Sequence, residues 1–242
     1  MSVQNAAGAR TGEVELWQIR LDAVDADAVD VSVLDESEHE RLGRLVLPAD
    51  RLRYGAAHVA LRRLLAVRLG VGPETVTFGR EPCPGCGGPH GRPAVHGIPG
   101  APHFSLSHSG DSVLIGMAAW PVGVDVEEVP REATVHSVTP LLHPLEQAEI
   151  REDPRPREAF ARVWSRKEAY LKGVGIGVAR SLDRDYVGER RPDALPDGWH
   201  VSSVSAAEGH AAAVAVAAAG PVLRMNRLEP GFVTKRPAVR RS

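Results

Sequence analysis

Lysine is nearly missing from this chain: of 29 basic residues only Lys167, Lys172 and Lys235 are lysines, the rest arginines. Cysteine is scarcer still. Cys83 and Cys86 alone cannot make a disulfide framework. No long apolar run is present. The longest, Ala211 to Ala219, is too short to cross a bilayer, and Met1 to Glu13 has no apolar stretch of the kind a secretory signal carries. Neither sign of charge dominates. A formal net charge of −2 gives no positive field to gather nucleic acid. The expectation is a cytoplasmic protein with no membrane and no nucleic-acid partner.

What is there suits a globular enzyme. The chain has 242 residues, 43% hydrophobic and 25% charged, enough for one large domain or two small ones. Val14 to Leu21 alternates as a strand. Helices are expected over 35–45 and 50–69, the second with Asp50 as N-cap and a stop at Gly70. Residues 79–102, rich in Gly and Pro, read as a long loop without regular structure. Phe104–Ser107 and Ser112–Ala119 read as a strand pair, Val122–Val129 as another strand, and 144–150 and 157–173 as helices. Trp199–Val204 and His210–Ala218 close the pattern as a second strand pair. The fold class expected is α+β: two similar halves, each a small antiparallel sheet with a long helix, related by a pseudo-twofold. The lobes are expected at 14–120 and 121–225, with a flexible tail over 226–242.

Two of the three lysines flank Glu168 in Trp164-Ser165-Arg166-Lys167-Glu168-Ala169-Tyr170-Leu171-Lys172. Lysine presents a compact ammonium that can give up its proton, whereas arginine stays charged and planar. An arginine-rich chain that keeps lysine here points to a site with that need, although Glu168 and Lys172 also make an ordinary i,i+4 surface pair. Upstream, Gly123-Val124-Asp125-Val126-Glu127 puts valines on one strand face and two carboxylates on the other, roughly 6.5–7 Å apart at Cα. Such a pair can converge on a hard cation, or it can be a solvated acidic face.

Together with Phe104-Ser105-Leu106-Ser107-His108-Ser109-Gly110 and Gly91-Arg92-Pro93, these segments resemble, in order, the motifs of the 4′-phosphopantetheinyl transferases, in particular the large two-lobed surfactin-type branch, over roughly residues 15 to 220. The resemblance implies transfer of phosphopantetheine from coenzyme A to a serine of acyl or peptidyl carrier proteins, with release of 3′,5′-ADP. It implies Mg²⁺ held by Asp125, Glu127 and Glu168, Glu168 or a water beside it as base, and Lys172 on the leaving phosphate. Lys167 is implied at the diphosphate, His108 at the 3′-phosphate with Ser107 bracing its turn, and Arg92 and Arg53 at the nucleotide; Arg41 and Arg44 are weaker candidates. A monomer is expected because two tandem halves would form the cleft within one chain. Arg62, Arg63, Arg155 and Arg157 are candidates for an acidic carrier, with nothing to single them out.

Cys83-Pro84-Gly85-Cys86-Gly87-Gly88-Pro89-His90, with His96 beyond, stands apart from that pattern. It reads either as a Gly-rich loop approaching the nucleotide or as half a zinc knuckle that His90 and His96 would complete; a redox C-x-x-C lacks a helix N-terminus behind it. Two other functions compete with transfer: hydrolysis of coenzyme A on the same scaffold, and a non-catalytic module folded on zinc.

Overall fold

The structure, a computed structural model, describes residues 12–176 and 180–235. Its architecture is α+β, small sheets covered by helices. Strand β1 (Glu13–Arg20) opens it. Helix α1 (Glu36–Arg44) begins in a capping box: the Asp35 carboxylate accepts from the Glu38 N–H at 2.9 Å, and the Glu38 carboxylate accepts from the Asp35 N–H at 3.0 Å. Helix α2 (Pro48–Leu69) starts earlier than expected, with Pro48 in its first turn. Asp50 is therefore not the N-cap; it lies inside the helix and holds Arg53 at 2.6 Å. Gly70, in the left-handed region, ends the helix.

The segment 79–102 is not structureless. Strands β2 (Phe78–Arg80) and β3 (Pro93–Val95) pair antiparallel within it, because Phe78 and Val95 each have apolar surface to lay against the core. The Cys- and Gly-containing residues form the loop at the tip of this pair. Next come β4 (His103–Ser109), β5 (Ser112–Ala118) and β6 (Val122–Glu128). Helices α3 (Glu132–Val138), α4 (Pro144–Glu152) and α5 (Pro156–Val174) follow, then β7 (His200–Val204), β8 (His210–Val216) and β9 (Val222–Arg227). The sheets run β4-β5-β1-β9 and β6-β8-β7.

The expected tail from 226 onward needs correcting. Strand β9 adds parallel to the edge of β1, Leu228 and Val233 are buried in the first core, and the Lys235 N–H donates to the Ala28 carbonyl at 2.9 Å. Residues 236–242 of that segment lie outside the described residues.

Strand alternation explains how the layers stack. Ile19, Val113 and Ile115 face α2, where they meet Ala56, Val59, Ala60 and Leu64. The alternate residues Val14, Leu16 and Leu114 face the other way, onto Val124, Val126, Val214 and Val216 of the second sheet. Helix α5 covers the far side of that second sheet through Ala169 and Tyr170 on Ala213 and Ala215. At Gly123 a β-carbon would collide with the Ala169 carbonyl and the Gly173 nitrogen. Glycine there lets β6 lie directly against α5, and that contact brings the two carboxylate-bearing segments together.

Candidate active site

Strands β4 and β6 run side by side but are not neighbours in a sheet; serine side chains join them. Ser105, Ser107 and Ser109, at every second position of β4, share one face. Ser105 Oγ accepts from the Val124 N–H at 3.0 Å, and Ser109 Oγ accepts from the Glu128 N–H at 3.2 Å. Ser107 Oγ donates to Asp125 Oδ1 at 2.8 Å, and Ser109 Oγ to Glu127 Oε2 at 3.3 Å. The hydroxyls thus do what a backbone ladder would have done, and they orient two carboxylates while doing so. Ser105 and Ser109 were not among the residues expected to matter; their period of two was the signal available.

Asp125 is 1% exposed, so the acidic face of β6 is not a solvated one. Lys172 Nζ sits 2.6 Å from Asp125 Oδ1 and 3.1 Å from Ser107 Oγ, while Asp125 Oδ2 is buried without a hydrogen-bond partner. Burial raises the Asp125 pKa, opposed by Lys172 and Ser107. Glu127 is pushed up to about 7 by burial and then by the Asp125 charge, with Lys172 and Ser109 opposing. Glu168 is raised by burial too, with Lys172 opposing and Asp125 adding to the rise. Three carboxylates and one ammonium therefore share a crevice of about 330 Å³, with Ser107, His108, His58 and Leu106 as the other walls.

A divalent cation suits this donor set. The orphaned Asp125 oxygen and two neighbouring carboxylates are hard oxygen ligands, and Mg²⁺ takes only a few of these while keeping positions for water and phosphate. Among the described residues the three carboxylates do not bring one oxygen each within 4.8 Å of one another; the ammonium of Lys172 occupies the side of Asp125 instead.

Lys167 is a correction. It is 1% exposed and points away from the crevice, 3.0 Å from Glu146 and donating to the Asp185 carbonyl. Burial lowers its pKa, against the pull of Glu146. The reason is rotation: five residues along a helix turn the side chain by about 140°, whereas four turn it by about 40°. Glu168 and Lys172 share a face; Lys167 joins Arg166, which donates to the Val187 and Gly188 carbonyls at 2.5 and 2.8 Å, in holding the segment after α5.

His108 stands at the crevice rim, its pKa lowered by desolvation and then by the charges of Arg53, His58 and Lys172. Arg53 is spent on the adjoining turn: its Nε donates to the Gly110 carbonyl at 2.7 Å and Nη1 to Asp50 at 2.6 Å. Arg92 lines a second, larger cavity of about 770 Å³. It donates to the Gly173 carbonyl at the end of α5 at 2.7 Å and pairs with Glu81, while its Nε is buried without a partner. The two cavities adjoin through His58, Leu106 and Lys172. Arg44 pairs with Glu40 on the exposed side of α1, where Arg41 is also exposed. Arg62, a candidate for carrier contact, is wholly buried between Asp35 and Glu38 and cannot meet a partner. His58 was missed by sequence reasoning; it accompanies Glu38 at 2.8 Å and stacks on Tyr54.

Residues 121–215, which span β6, α5 and β8, match the family model of the 4′-phosphopantetheinyl transferase superfamily. The chain is 31% identical over 179 residues to the 4′-phosphopantetheinyl transferase HetI of Nostoc sp., covering 69% of this chain and 71% of that protein. It is 26% identical over 182 residues to a 4′-phosphopantetheinyl transferase of Bacillus subtilis, covering 74% of each. The similarity to 4′-phosphopantetheinyl transferase Sfp of the same species is 22% over 155 residues, 63% of this chain and 65% of that one.

Proposed function

Since the chain belongs to the 4′-phosphopantetheinyl transferases, we propose that it moves phosphopantetheine from coenzyme A to a serine of acyl and peptidyl carrier proteins, releasing 3′,5′-ADP. One observation carries this: Asp125, Glu127, Glu168 and Lys172 converge on a crevice that opens into a cavity large enough for a nucleotide. Mg²⁺ held by Asp125, Glu127 and Glu168 would neutralise the diphosphate. The remaining work falls to the chain. Glu168, its pKa raised, accepts the proton as the carrier serine oxygen attacks the β-phosphorus. A new phosphodiester forms, the β-phosphorus–oxygen bond to the α-phosphate breaks, and Lys172 neutralises the charge on the departing 3′,5′-ADP. His108, at the rim with Arg53 behind it, faces the 3′-phosphate, and Ser107 holds Asp125 and Lys172 in register. Arg92 forms the wall for the nucleotide.

The reading extends to the surfactin-type branch and to two lobes related by a pseudo-twofold, divided near 120 as expected but with β9 belonging to the first lobe, since it pairs with β1. What supports it is that α2 on the first sheet and α5 on the second are each the long helix of their layer. Because both layers come from one chain, the site needs no second copy and a monomer suffices.

The test is intact-mass analysis of an apo carrier protein incubated with the enzyme, coenzyme A and Mg²⁺. One added phosphopantetheine, absent with EDTA and with Glu168→Gln, is the expected result. Release of 3′,5′-ADP without any carrier would replace transfer by coenzyme A hydrolysis.

A further inference from the structure

The tip of the β2–β3 pair holds metal-ligating side chains that the proposed reaction leaves unused. Among the described residues, one sulfur each from Cys83 and Cys86 and one ring nitrogen of His90 lie within 4.8 Å of one another. Cys86 Sγ is 3.0 Å from His90 Nε2, and both cysteines are free thiols. A tetrahedral zinc ion, with bonds of about 2.3 Å to sulfur and 2.0–2.1 Å to nitrogen, sets its ligand atoms roughly 3.5–3.8 Å apart. A shift of no more than about 1 Å would let all three share one ion.

The backbone around them is built for this. The Cys83 N–H donates to the Gly88 carbonyl at 2.7 Å, the Gly87 N–H to the Cys83 carbonyl at 2.8 Å, and the His90 N–H to the Gly88 carbonyl at 2.9 Å. Gly87 takes a left-handed φ of 74° to close the turn. Backbone N–H groups of Gly85 and Cys86 point at the Cys83 sulfur. At Gly91 a side chain would collide with the Glu81 and Pro82 carbonyls, so the loop returns tightly to Arg92 and thence to the end of α5. Two thiolates with an imidazole select zinc over hard cations such as Mg²⁺.

We propose that Cys83, Cys86 and His90 bind one Zn²⁺, with its fourth position open to solvent, and that the ion clamps the loop forming one wall of the larger cavity. His96 is not a ligand: it packs beside Gly79, away from the cluster. His90 itself lines the cavity, so the ion would stiffen the wall that continues through Gly91 into Arg92.

The test uses the full chain, expressed with zinc and purified under reducing conditions, with metal content measured by inductively coupled plasma mass spectrometry. One zinc per chain is expected. After zinc removal, titration with Co²⁺ should give the thiolate charge-transfer absorption and the intense visible bands of a tetrahedral site. Cys86 and His90 are exposed, so Cys86→Ser and His90→Ala should keep the circular dichroism of the parent while weakening Zn²⁺ binding by more than about 100-fold. The proposal is overturned if the parent retains no zinc and gives only octahedral cobalt bands. It is equally overturned if both variants retain zinc as the parent does, or if Cys83 and Cys86 are recovered as a disulfide. None of these readouts depends on transferase activity.

Discussion

Glu127 carries the clearest pH consequence of any single residue. Its pKa of about 7 in the folded protein stands above its ordinary 4.5 because burial and the Asp125 charge disfavour the anion. Between those values the folded state holds a proton that the unfolded chain has released, so this group makes stability fall as pH rises. Below about 4.5 both states are protonated, and above about 7 the penalty is complete. Glu127→Gln removes it. In EDTA the variant should be more stable than the parent at pH 8, by about 1–3 kcal/mol after allowance for solvent screening, and no different at pH 4.5, measured by urea unfolding. Mg²⁺ should shrink the gap at pH 8, since it favours the anion that glutamine cannot supply. A difference independent of pH would mean that Glu127 is not the strained carboxylate described. The two lysines of α5 make a matched contrast. Lys172→Met should lower kcat by about 10²–10³-fold and leave a folded protein, because Asp125 can take up a proton in place of the lost ammonium. Lys167→Met strands the buried Glu146 and should cost about 3–5 kcal/mol of stability. The opposite pattern would exchange their roles.

At the scale of elements, the site exists because one strand touches one helix. Strand β6 meets α5 at Gly123, where any side chain would run into the Ala169 carbonyl and the Gly173 nitrogen. Gly123→Ala should therefore cost upwards of about 1–3 kcal/mol and, by pushing β6 off α5, separate Asp125 from Lys172. A protein that still folds should bind Mg²⁺ more weakly by calorimetry; unchanged affinity would show that the close approach does not hold the site together. Much of this was legible in the sequence. The alternation of Val124 and Val126 with Asp125 and Glu127, and the i,i+4 spacing of Glu168 and Lys172, both report which side chains share a face, and both faces are as the periods require. The same arithmetic, applied to Lys167, would have turned it away from the crevice. Harder to see was anything set by distant partners. The short β2–β3 pair depends on Phe78 and Val95 finding the first core, and the bond from Ser105 to the Val124 N–H depends on a strand in the other sheet. The start of α2 was misread because Asp50 looks like a cap, while Pro48 already fits a helix's first turn.

Over the whole molecule, the last described segment decides whether the first sheet is complete. Strand β9 arrives from beyond the second sheet and pairs parallel with β1, so the chain closes over the layer where it began. The expectation of a tail over 226–242 rests on the Pro and Arg residues from Glu229 onward, and β9, mostly exposed, gives little apolar signal to set against it. The anchors lie just past β9. Leu228 and Val233 are buried in the core under α2, each worth about 1.5–3 kcal/mol, and together they amount to a sizeable share of the roughly 5–15 kcal/mol that stabilises a domain. Arg63 of α2 adds a polar tie, donating to the Phe232 and Thr234 carbonyls at 2.6 and 3.0 Å. Ending the chain at Pro221 removes all of this and leaves the edge of β1 unpaired, a template for association between chains. The truncated protein should show a urea midpoint lowered by the equivalent of about 3–6 kcal/mol and should aggregate by light scattering. Since Val14 and Leu16 of β1 are also the floor beneath Val124 and Val126, loosening this edge should reach the crevice, and transferase activity should fall along with stability. If the truncated chain instead unfolded at the parent midpoint, β9 and its anchors would be an addition to the fold and not a part of it.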